Sequence, residues 1–288
     1  MPQSSFSTIA ESLQWAYSQL VDSSESANID AEALLLHCLN KQRSYLYTWP
    51  EKVLTADQFK SFQTMIEKRK QGMPVAHIIG EREFWSLPFI VNATTLIPRP
   101  DTEILVETAL NLPLDNNAKV LDLGTGTGAI ALSLASERPE WQMTAIDKVD
   151  DAVELAKANR ENLNLAHVEI LQSDWFSAVE HQDFNLIVSN PPYIDETDVH
   201  LDLGDVRFEP SSALTAAEQG FADLFHIAQH ATKHLSQGGY LLLEHGFEQA
   251  LVVRQKLIEL GYDNVATVRD FGSNDRCTLG QWQGTLKD

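Results

Sequence analysis

One short segment, Asn190-Pro191-Pro192-Tyr193, combines residue types that suit the chemistry of a planar NH2 group. It follows the apolar run 184–189, which predicts a buried strand. The two prolines end the ladder of that strand because neither has an N–H to donate. The side-chain oxygen of Asn190 and the carbonyl of Pro191 can then each accept one of the two amino hydrogens.

The Tyr193 ring can lie against the π-system of such a guest. We therefore predict Asn190, Pro191 and Tyr193 as catalytic residues that act by positioning and electrostatics, and all four residues of the segment as substrate-binding. The alternative is a proline-capped strand end that only turns the chain.

A glycine-rich segment, Asp122 to Gly128, lies between a predicted strand and a predicted helix. Glycines allow close approach to a ligand, and a helix N-terminus favours a negative group. The spacing is G-x-G-x-G, one residue tighter than the dinucleotide fingerprint. It resembles the first motif of class I S-adenosylmethionine-dependent methyltransferases, in which the loop faces the methionine part of the cofactor. The predicted cofactor-binding residues here are Asp122, Gly124, Thr125, Gly126, Thr127 and Gly128.

The next two predicted strands also end in residues of ligand type. Asp147 can bind both hydroxyls of a ribose, Asp174 can accept the adenine amino hydrogen, and Trp175 or Phe176 can cover the adenine ring. The alternatives are a helix cap for Asp147 and core packing for Trp175. A nicotinamide dehydrogenase would need the longer glycine spacing and would leave Asn190 to Tyr193 unexplained.

The elements that position these residues alternate between strand and helix from residue 119 onward, which predicts an α/β fold with a mostly parallel sheet. Strands are predicted at 119–123, 142–146, 168–172, 184–189 and 240–244, followed by an antiparallel pair at 264–269 and 276–282. Helices are predicted near 128–137, 151–163, 219–236 and 247–260. Residues 1–75 predict a small helical domain, 76–100 a hairpin or linker, and 101–288 the catalytic domain.

Bulk properties restrict the function further. The 288 residues carry a net charge of −20, which argues against an enzyme that scans nucleic acid. The two cysteines, Cys38 and Cys277, indicate reduced thiols, and neither a signal pattern nor a membrane-length apolar run is present. We expect a cytoplasmic protein with no membrane partner and no metal.

Several segments together resemble the bacterial release factor glutamine methyltransferases, the PrmC/HemK family. They are Ile97 to Glu103, Asp122 to Gly128, Gln172 to Phe176, Asn190 to Tyr193 and Gly204 to Pro210. The resemblance implies a seven-stranded Rossmann-like methyltransferase sheet with an antiparallel final hairpin. It also implies S-adenosylmethionine as cofactor and methyl transfer to the glutamine N5 in the Gly-Gly-Gln loop of class I release factors, which the helical domain contacts. Asn190 would then line the cofactor as well.

Three alternatives stay open: a ribosomal-protein glutamine methyltransferase, a nucleic acid amino (adenine N6) methyltransferase, and a catalytically silent cofactor-binding module. Arg99, between two prolines, is either a rigid corner or a substrate-binding residue. Glu244 and His245 end a predicted strand and are either structural or supporting residues. The remaining candidates are a loop that closes over substrate, with Asp202, Asp205, Arg207 and Glu209, and three solvated histidines at helical spacing, His226, His230 and His234.

Overall fold

The computed structural model describes residues 7–180, 183–202 and 204–284, which divide into two compact units. One unit comprises the chain up to Gly80 together with Asp202–Phe208. The other comprises Glu81–Leu201 and the chain from Glu209 onward. The first six residues of the predicted helical domain and the side chain of Asp202 lie outside the described part.

The first unit is helical. Its helices are α1 (Ile9–Leu20), α2 (Ala27–Leu39), α3 (Ser44–Thr48), α4 (Ala56–Lys70) and α5 (Val75–Ile79). Thr8 and Thr55 begin α1 and α4 with capping boxes. Apolar side chains that include Leu20, Leu34 and Phe62 form the core of this unit.

The second unit holds all the named strands. They are β1 (Glu81–Phe84), β2 (Leu87–Ile90), β3 (Lys119–Leu123), β4 (Gln142–Asp147), β5 (Glu169–Gln172), β6 (Phe184–Ser189), β7 (Ile194–Asp195), β8 (Thr215–Ala216), β9 (Leu235–Glu244), β10 (Tyr262–Arg269) and β11 (Asp275–Trp282). Its helices are α6 (Glu103–Leu110), α7 (Ala129–Glu137), α8 (Asp150–Asn162), α9 (Ala222–Ala231) and α10 (Ala250–Glu259). The predicted hairpin is confirmed, with β1 and β2 paired antiparallel.

Seven strands form one sheet in the order β10-β11-β9-β6-β3-β4-β5, and only β11 runs against its neighbours. Alternate side chains face opposite sides because the period of a strand is two. Val120 and Leu186 pack with α6, α7 and α8, whereas Leu121 and Ile187 pack with α9 and α10. The predicted seven-stranded α/β sheet with its antiparallel final hairpin is thus confirmed.

Several predicted boundaries are wrong. Helix α9 ends at Ala231 rather than at residue 236, and α10 begins at Ala250 rather than near residue 247. Helix α9 begins only at Ala222 because Glu218, Gln219 and Gly220 have positive φ and form a turn. Strand β9 begins at Leu235, before the predicted residue 240, although Gly238 has a φ of 81°. Within the part of the chain that the structure describes, no helix combines the length and apolar character needed to cross a membrane.

Candidate active site

A cavity of about 560 Å³ opens at the carboxyl ends of β3, β4 and β6. This is the edge at which open α/β sheets bind ligands, and the volume falls within the range of small-molecule sites. The predicted site residues that line it are Arg99, Gly124, Thr125, Gly126, Thr127, Asp147, Asp174, Trp175, Asn190 and Pro192. The predicted residues Asp122, Gly128, Pro191 and Tyr193 do not line it.

The glycine loop leaves β3 in a backbone conformation that would be strained for residues with a side chain. Gly124 has a φ of 71° and Gly128, directly before α7, has a φ of 83°. A Cβ on Gly128 would lie 2.9 Å from Leu132 Cδ1, so another residue there would also displace the Leu132 side chain. The Thr125 N–H donates to the Ile146 carbonyl at 2.8 Å, which ties the loop to the end of β4.

Asp122 supports the glycine loop from the buried side. Its Oδ2 accepts hydrogen bonds from Thr125 Oγ1 at 2.6 Å and from the Ala131 N–H at 3.2 Å. Burial raises the pKa of Asp122 to about 7, although both hydrogen bonds act to lower it. The carboxyl is fully buried behind the loop, so its predicted role as a cofactor contact has no side-chain access to the cavity.

Asp147 ends β4 in the cavity wall. Its two oxygens accept the backbone N–H groups of Gly126 and Val149, each at 2.9 Å. Burial raises the pKa of Asp147, whereas these N–H groups act to lower it. A carboxylate oxygen has a second lone pair, so the side chain can still accept hydroxyl donors from a ligand.

Asp174 and Trp175 follow β5 and border the same cavity. Trp175 has a φ of 48°, a conformation that bulky residues rarely adopt and that is typical of functional sites. A Cβ on Gly124 would lie 3.5 Å from Trp175 Cζ3, so the indole packs directly over the glycine loop. Asp174 forms an exposed ion pair with Lys148 at 2.9 Å.

Asn190 reaches the cavity from the end of β6, and its amide is held by Thr102. Asn190 Nδ2 donates to Thr102 Oγ1 at 3.3 Å. Helix α6 has no side-chain cap at Thr102, whose hydroxyl meets Asn190 instead. Just before Asn190, Ser189 Oγ donates to the Leu123 carbonyl at 2.7 Å and joins the ends of β6 and β3.

Tyr193 does not line the cavity and is held by hydrogen bonds at its hydroxyl and its carbonyl. Its hydroxyl donates to Glu244 Oε1 at 3.3 Å, and its carbonyl accepts Gln249 Nε2 at 3.0 Å. A Cβ on Gly220 would lie 2.1 Å from the Tyr193 carbonyl oxygen. These contacts fix the backbone that follows Pro191 and Pro192.

Arg99 holds a turn of the chain through an ion pair and also lines the cavity. Its Nη2 forms an ion pair with Glu209 Oε2 at 2.5 Å, and the Glu209 carboxylate also accepts the Ile97 N–H at 2.8 Å. Glu209 thus holds the segment before α6. The hypothesis of a closing loop gains no support from Asp205, which pairs with Arg69 at 2.8 Å in the helical unit.

The three histidines at helical spacing are not all solvated. His234 is buried and stacks on Phe176 with ring centroids 4.6 Å apart, so that prediction is wrong for His234. His226 and His230 stack on each other at 4.1 Å. Among the residues that the structure describes, no cluster of acidic, His and Cys side chains suited to a metal ion occurs.

Sequence reasoning missed several residues of the cavity wall. They are Thr94, Thr95, Leu96, Thr102, Lys148, Ser212 and Asp223, among others. Most lie in loops without a recognisable pattern. Three cavity residues could have been found, because Pro98 and Thr102 lie in the segment Ile97 to Glu103 and Ser173 lies in the segment Gln172 to Phe176.

Both units contain segments that match models of known protein families. Residues 11–80 match the PrmC N-terminal domain, and residues 100–258 match the methyltransferase small domain. A release factor glutamine methyltransferase of Shewanella oneidensis is 75% identical over 280 residues, 97% of this chain and 98% of that protein. The Escherichia coli protein of the same name is 52% identical and covers 94% of this chain and 97% of its own length. The chain belongs to the release factor glutamine methyltransferase family.

A solved methyltransferase from Pyrococcus furiosus shares the fold, with a TM-score of 0.53, 21% identity, and coverage of 77% of this chain and 98% of that one. The cofactor of this family is S-adenosylmethionine, and the residues present fit it. The glycine loop offers a close backbone approach, Asp147 offers a carboxylate, and Trp175 offers a flat face beside the loop.

Proposed function

We propose that this member of the release factor glutamine methyltransferases methylates the side-chain amide nitrogen, N5, of the glutamine in the Gly-Gly-Gln loop of class I release factors. The observation that carries the proposal is the position of Asn190. Its amide stands at the carboxyl end of β6, in the wall of the cavity that the glycine loop also lines. The names of the relatives at 75% and 52% identity support the same reaction.

Different residues of the cavity would contact different parts of the cofactor. The glycine loop would face the methionine part, Asp147 would bind the ribose hydroxyls, and Asp174 and Trp175 would contact the adenine. Bound there, S-adenosylmethionine supplies an electrophilic methyl group on a positively charged sulfur. Asp122, buried behind the loop, would act on the cofactor only by holding Thr125.

The protein's own contribution to catalysis would come from the residues that hold the substrate amide. An amide nitrogen is a weak nucleophile because its lone pair is shared with the carbonyl, so its alignment matters most. Asn190 Oδ1 and the Pro191 carbonyl would accept the two N–H groups, and Tyr193 would stiffen the segment behind them. Positive charge develops on the nitrogen as the bond forms, so both hydrogen bonds strengthen in the transition state. No strong general base is required, since the nitrogen becomes acidic only after the attack.

We assign the N-terminal domain, residues 1–75, to docking of the release factor, residues 76–100 to a hairpin or linker, and residues 101–288 to catalysis. Arg99 would contribute to the substrate side of the cavity. A net charge of −20 favours a protein partner over direct contact with nucleic acid. We place the activity in the cytoplasm, without a membrane partner, because release factors act there on ribosomes.

The experiment is methyl transfer from radiolabelled S-adenosylmethionine. Label should enter a class I release factor and be absent from the variant whose Gly-Gly-Gln glutamine is alanine. DNA and ribosomal proteins serve as competing acceptors. Label in either of them, with none in the release factor, would contradict the proposal.

A further inference from the structure

The segment Asn190 to Tyr193 has two prolines at its centre, and these have no N–H with which to bond the chain in place. Their rings fix φ but leave ψ free, so the directions of the carbonyls between them depend on how the chain is anchored on either side. On the upstream side, Ser189 pairs with Leu123 in the sheet, and its Oγ donates to the Leu123 carbonyl at 2.7 Å.

On the downstream side, Gln249, the residue before α10, holds the carbonyl of Tyr193. Gln249 Nε2 donates to that carbonyl at 3.0 Å, and Gln249 Oε1 accepts the Gly246 N–H at 2.8 Å. A backbone N–H only donates and a backbone carbonyl only accepts, so a single orientation of the Gln249 amide satisfies both. A Cβ on Gly220 would lie 2.1 Å from the Tyr193 carbonyl oxygen and 2.9 Å from Gln249 Nε2, so the chain at Gly220 packs directly against this bond.

The turn that carries Gln249, residues 245–249, is itself held by the sheet. The N–H of the buried His245 donates to the Arg276 carbonyl at 2.9 Å, and the His245 ring is hydrogen-bonded to Thr278 Oγ1 at 2.8 Å, both in β11. The Gln249 N–H closes the turn by donating to the Gly246 carbonyl at 2.9 Å. Gln249 therefore reaches Tyr193 from a part of the chain that the sheet keeps in place.

The Tyr193 side chain is occupied elsewhere. Its hydroxyl donates to Glu244 Oε1 at 3.3 Å, and burial raises the pKa of Tyr193, so the hydroxyl keeps its proton at neutral pH. Tyr193 does not line the cavity. The contacts of Tyr193 therefore act on a substrate in the cavity only through the backbone that leads back to Pro191 and Asn190.

Resting on the proposed function, we propose that Gln249 is a positioning residue: it anchors the Tyr193 carbonyl and thereby fixes how Pro191 and Asn190 face the substrate amide. The two prolines are then a short bridge between two fixed points, Ser189 in the sheet and Tyr193 on Gln249. Loss of the downstream point frees the bridge without touching the glycine loop that faces the cofactor.

The first test compares kcat for methyl transfer to the release factor. Gln249→Met keeps the length of the side chain but offers no N–H. We expect its kcat to fall about tenfold, the equivalent of one hydrogen bond, and its Kd for S-adenosylmethionine to change by no more than about threefold. Gln249→Glu keeps an acceptor for the Gly246 N–H but turns an oxygen toward the Tyr193 carbonyl, so its kcat should fall at least as far.

Gln255→Met is the matched control, because Gln255 lies in α10 and its side chain bonds Glu259 at 3.1 Å on the surface. Its kcat should equal that of the wild type. A wild-type kcat in Gln249→Met or Gln249→Glu would overturn the proposal, also where the variant unfolds at a lower temperature, because Gln249 would then serve the fold alone.

The second test asks whether Gln249 acts through the residues that hold the substrate amide. In single-turnover methyl transfer, Gln249→Met should cost about tenfold on its own but about threefold or less when added to Asn190→Ala, since residues that act as a unit are not additive. A full tenfold loss in both backgrounds would show that the two residues act independently and would overturn the proposal.

The third test needs no catalysis. In the full-length protein with tyrosine labelled at the carbonyl carbon, the Tyr193 resonance, assigned by its loss in Tyr193→Phe, should shift in Gln249→Met and stay in place in Gln255→Met. An unchanged resonance in Gln249→Met would overturn the proposal. A resonance that shifts as expected, in a protein whose wild type transfers no methyl group to a release factor, would contradict the proposed function alone.

Discussion

The side-chain amide of Asn159 in α8 is hydrogen-bonded to both backbone groups of Ile90. Its Oδ1 accepts the Ile90 N–H at 2.7 Å, and its Nδ2 donates to the Ile90 carbonyl at 3.0 Å. The same Nδ2 donates to the Thr127 carbonyl at 2.9 Å. One buried amide thus joins the β1–β2 hairpin to the glycine loop of the cavity.

Replacing this amide should weaken both the fold and the loop. Asn159→Ala leaves the backbone groups of Ile90 and Thr127 without partners, and we expect the free energy of unfolding to fall by about 3 kcal/mol. Denaturant unfolding measures this loss. Asn159→Asp is the matched variant, because it retains the acceptor for the Ile90 N–H but neither donor. An Ala variant within about 0.5 kcal/mol of wild type would contradict the account.

Asp147 should determine cofactor affinity more than turnover. Asp147→Ala removes the carboxylate that anchors Gly126 and Val149 and faces the cavity. We expect the Kd for S-adenosylmethionine to rise by about 10- to 100-fold, since hydrogen bonds to charged groups contribute about 1.5–3 kcal/mol. Calorimetry with Asp147→Asn as the isosteric control checks this. A titration of Asp147→Ala indistinguishable from wild type would count against the ribose assignment.

Asp122 should make stability depend on pH. Its pKa in the folded protein is raised to about 7 from the ordinary 3.8, so between these values the folded state binds more protons than the unfolded state. The free energy of unfolding therefore falls as the pH rises from about 4 to 7, by about 2–4 kcal/mol from this group. Asp122→Asn should flatten that decline. Parallel stability profiles for the two proteins between pH 4.5 and 8 would refute this.

Gly220 and Gly80 allow steric clash to be separated from backbone strain. Their φ values are 83° and 82°, but a Cβ on Gly220 would lie 2.1 Å from the Tyr193 carbonyl, whereas a Cβ on Gly80 meets no atom of the described residues within 4 Å. Gly80→Ala should lose about 1–2 kcal/mol from strain alone. Gly220→Ala should lose more and also reduce kcat by displacing Tyr193. Equal losses in thermal unfolding and equal kcat would show that the approach to Tyr193 is unimportant.

The way in which each site residue is positioned decides whether the sequence could predict it. Asp147, Trp175 and Asn190 come directly after predicted strands, and parallel strands bring their carboxyl ends to one edge whatever the details of packing. The contacts of Thr102 with Asn190 and of Asn159 with Ile90 join residues 88 and 69 positions apart. Such pairs depend on how helices pack on the sheet, which no local pattern encodes.

The same distinction applies to the fold. The alternation of strands and helices predicted the sheet, because each buried strand is an apolar run between breakers. The start of β9 was missed because Gly238 and Gly239 look like a turn. In the structure the strand continues through them, and the irregular pairing with β6 between Phe184 and Leu186 accommodates them.

The central claim is that Asn190 contributes far more to holding the substrate amide for reaction than to binding the cofactor. Its most direct test compares Asn190→Ala with wild type in single-turnover methyl transfer to a release factor, with the Kd for S-adenosylmethionine measured alongside. We predict a loss of about 100-fold or more in rate, because a contact strengthened in the transition state is removed, and a Kd changed by no more than about threefold. Equal single-turnover rates for the two proteins would contradict the account.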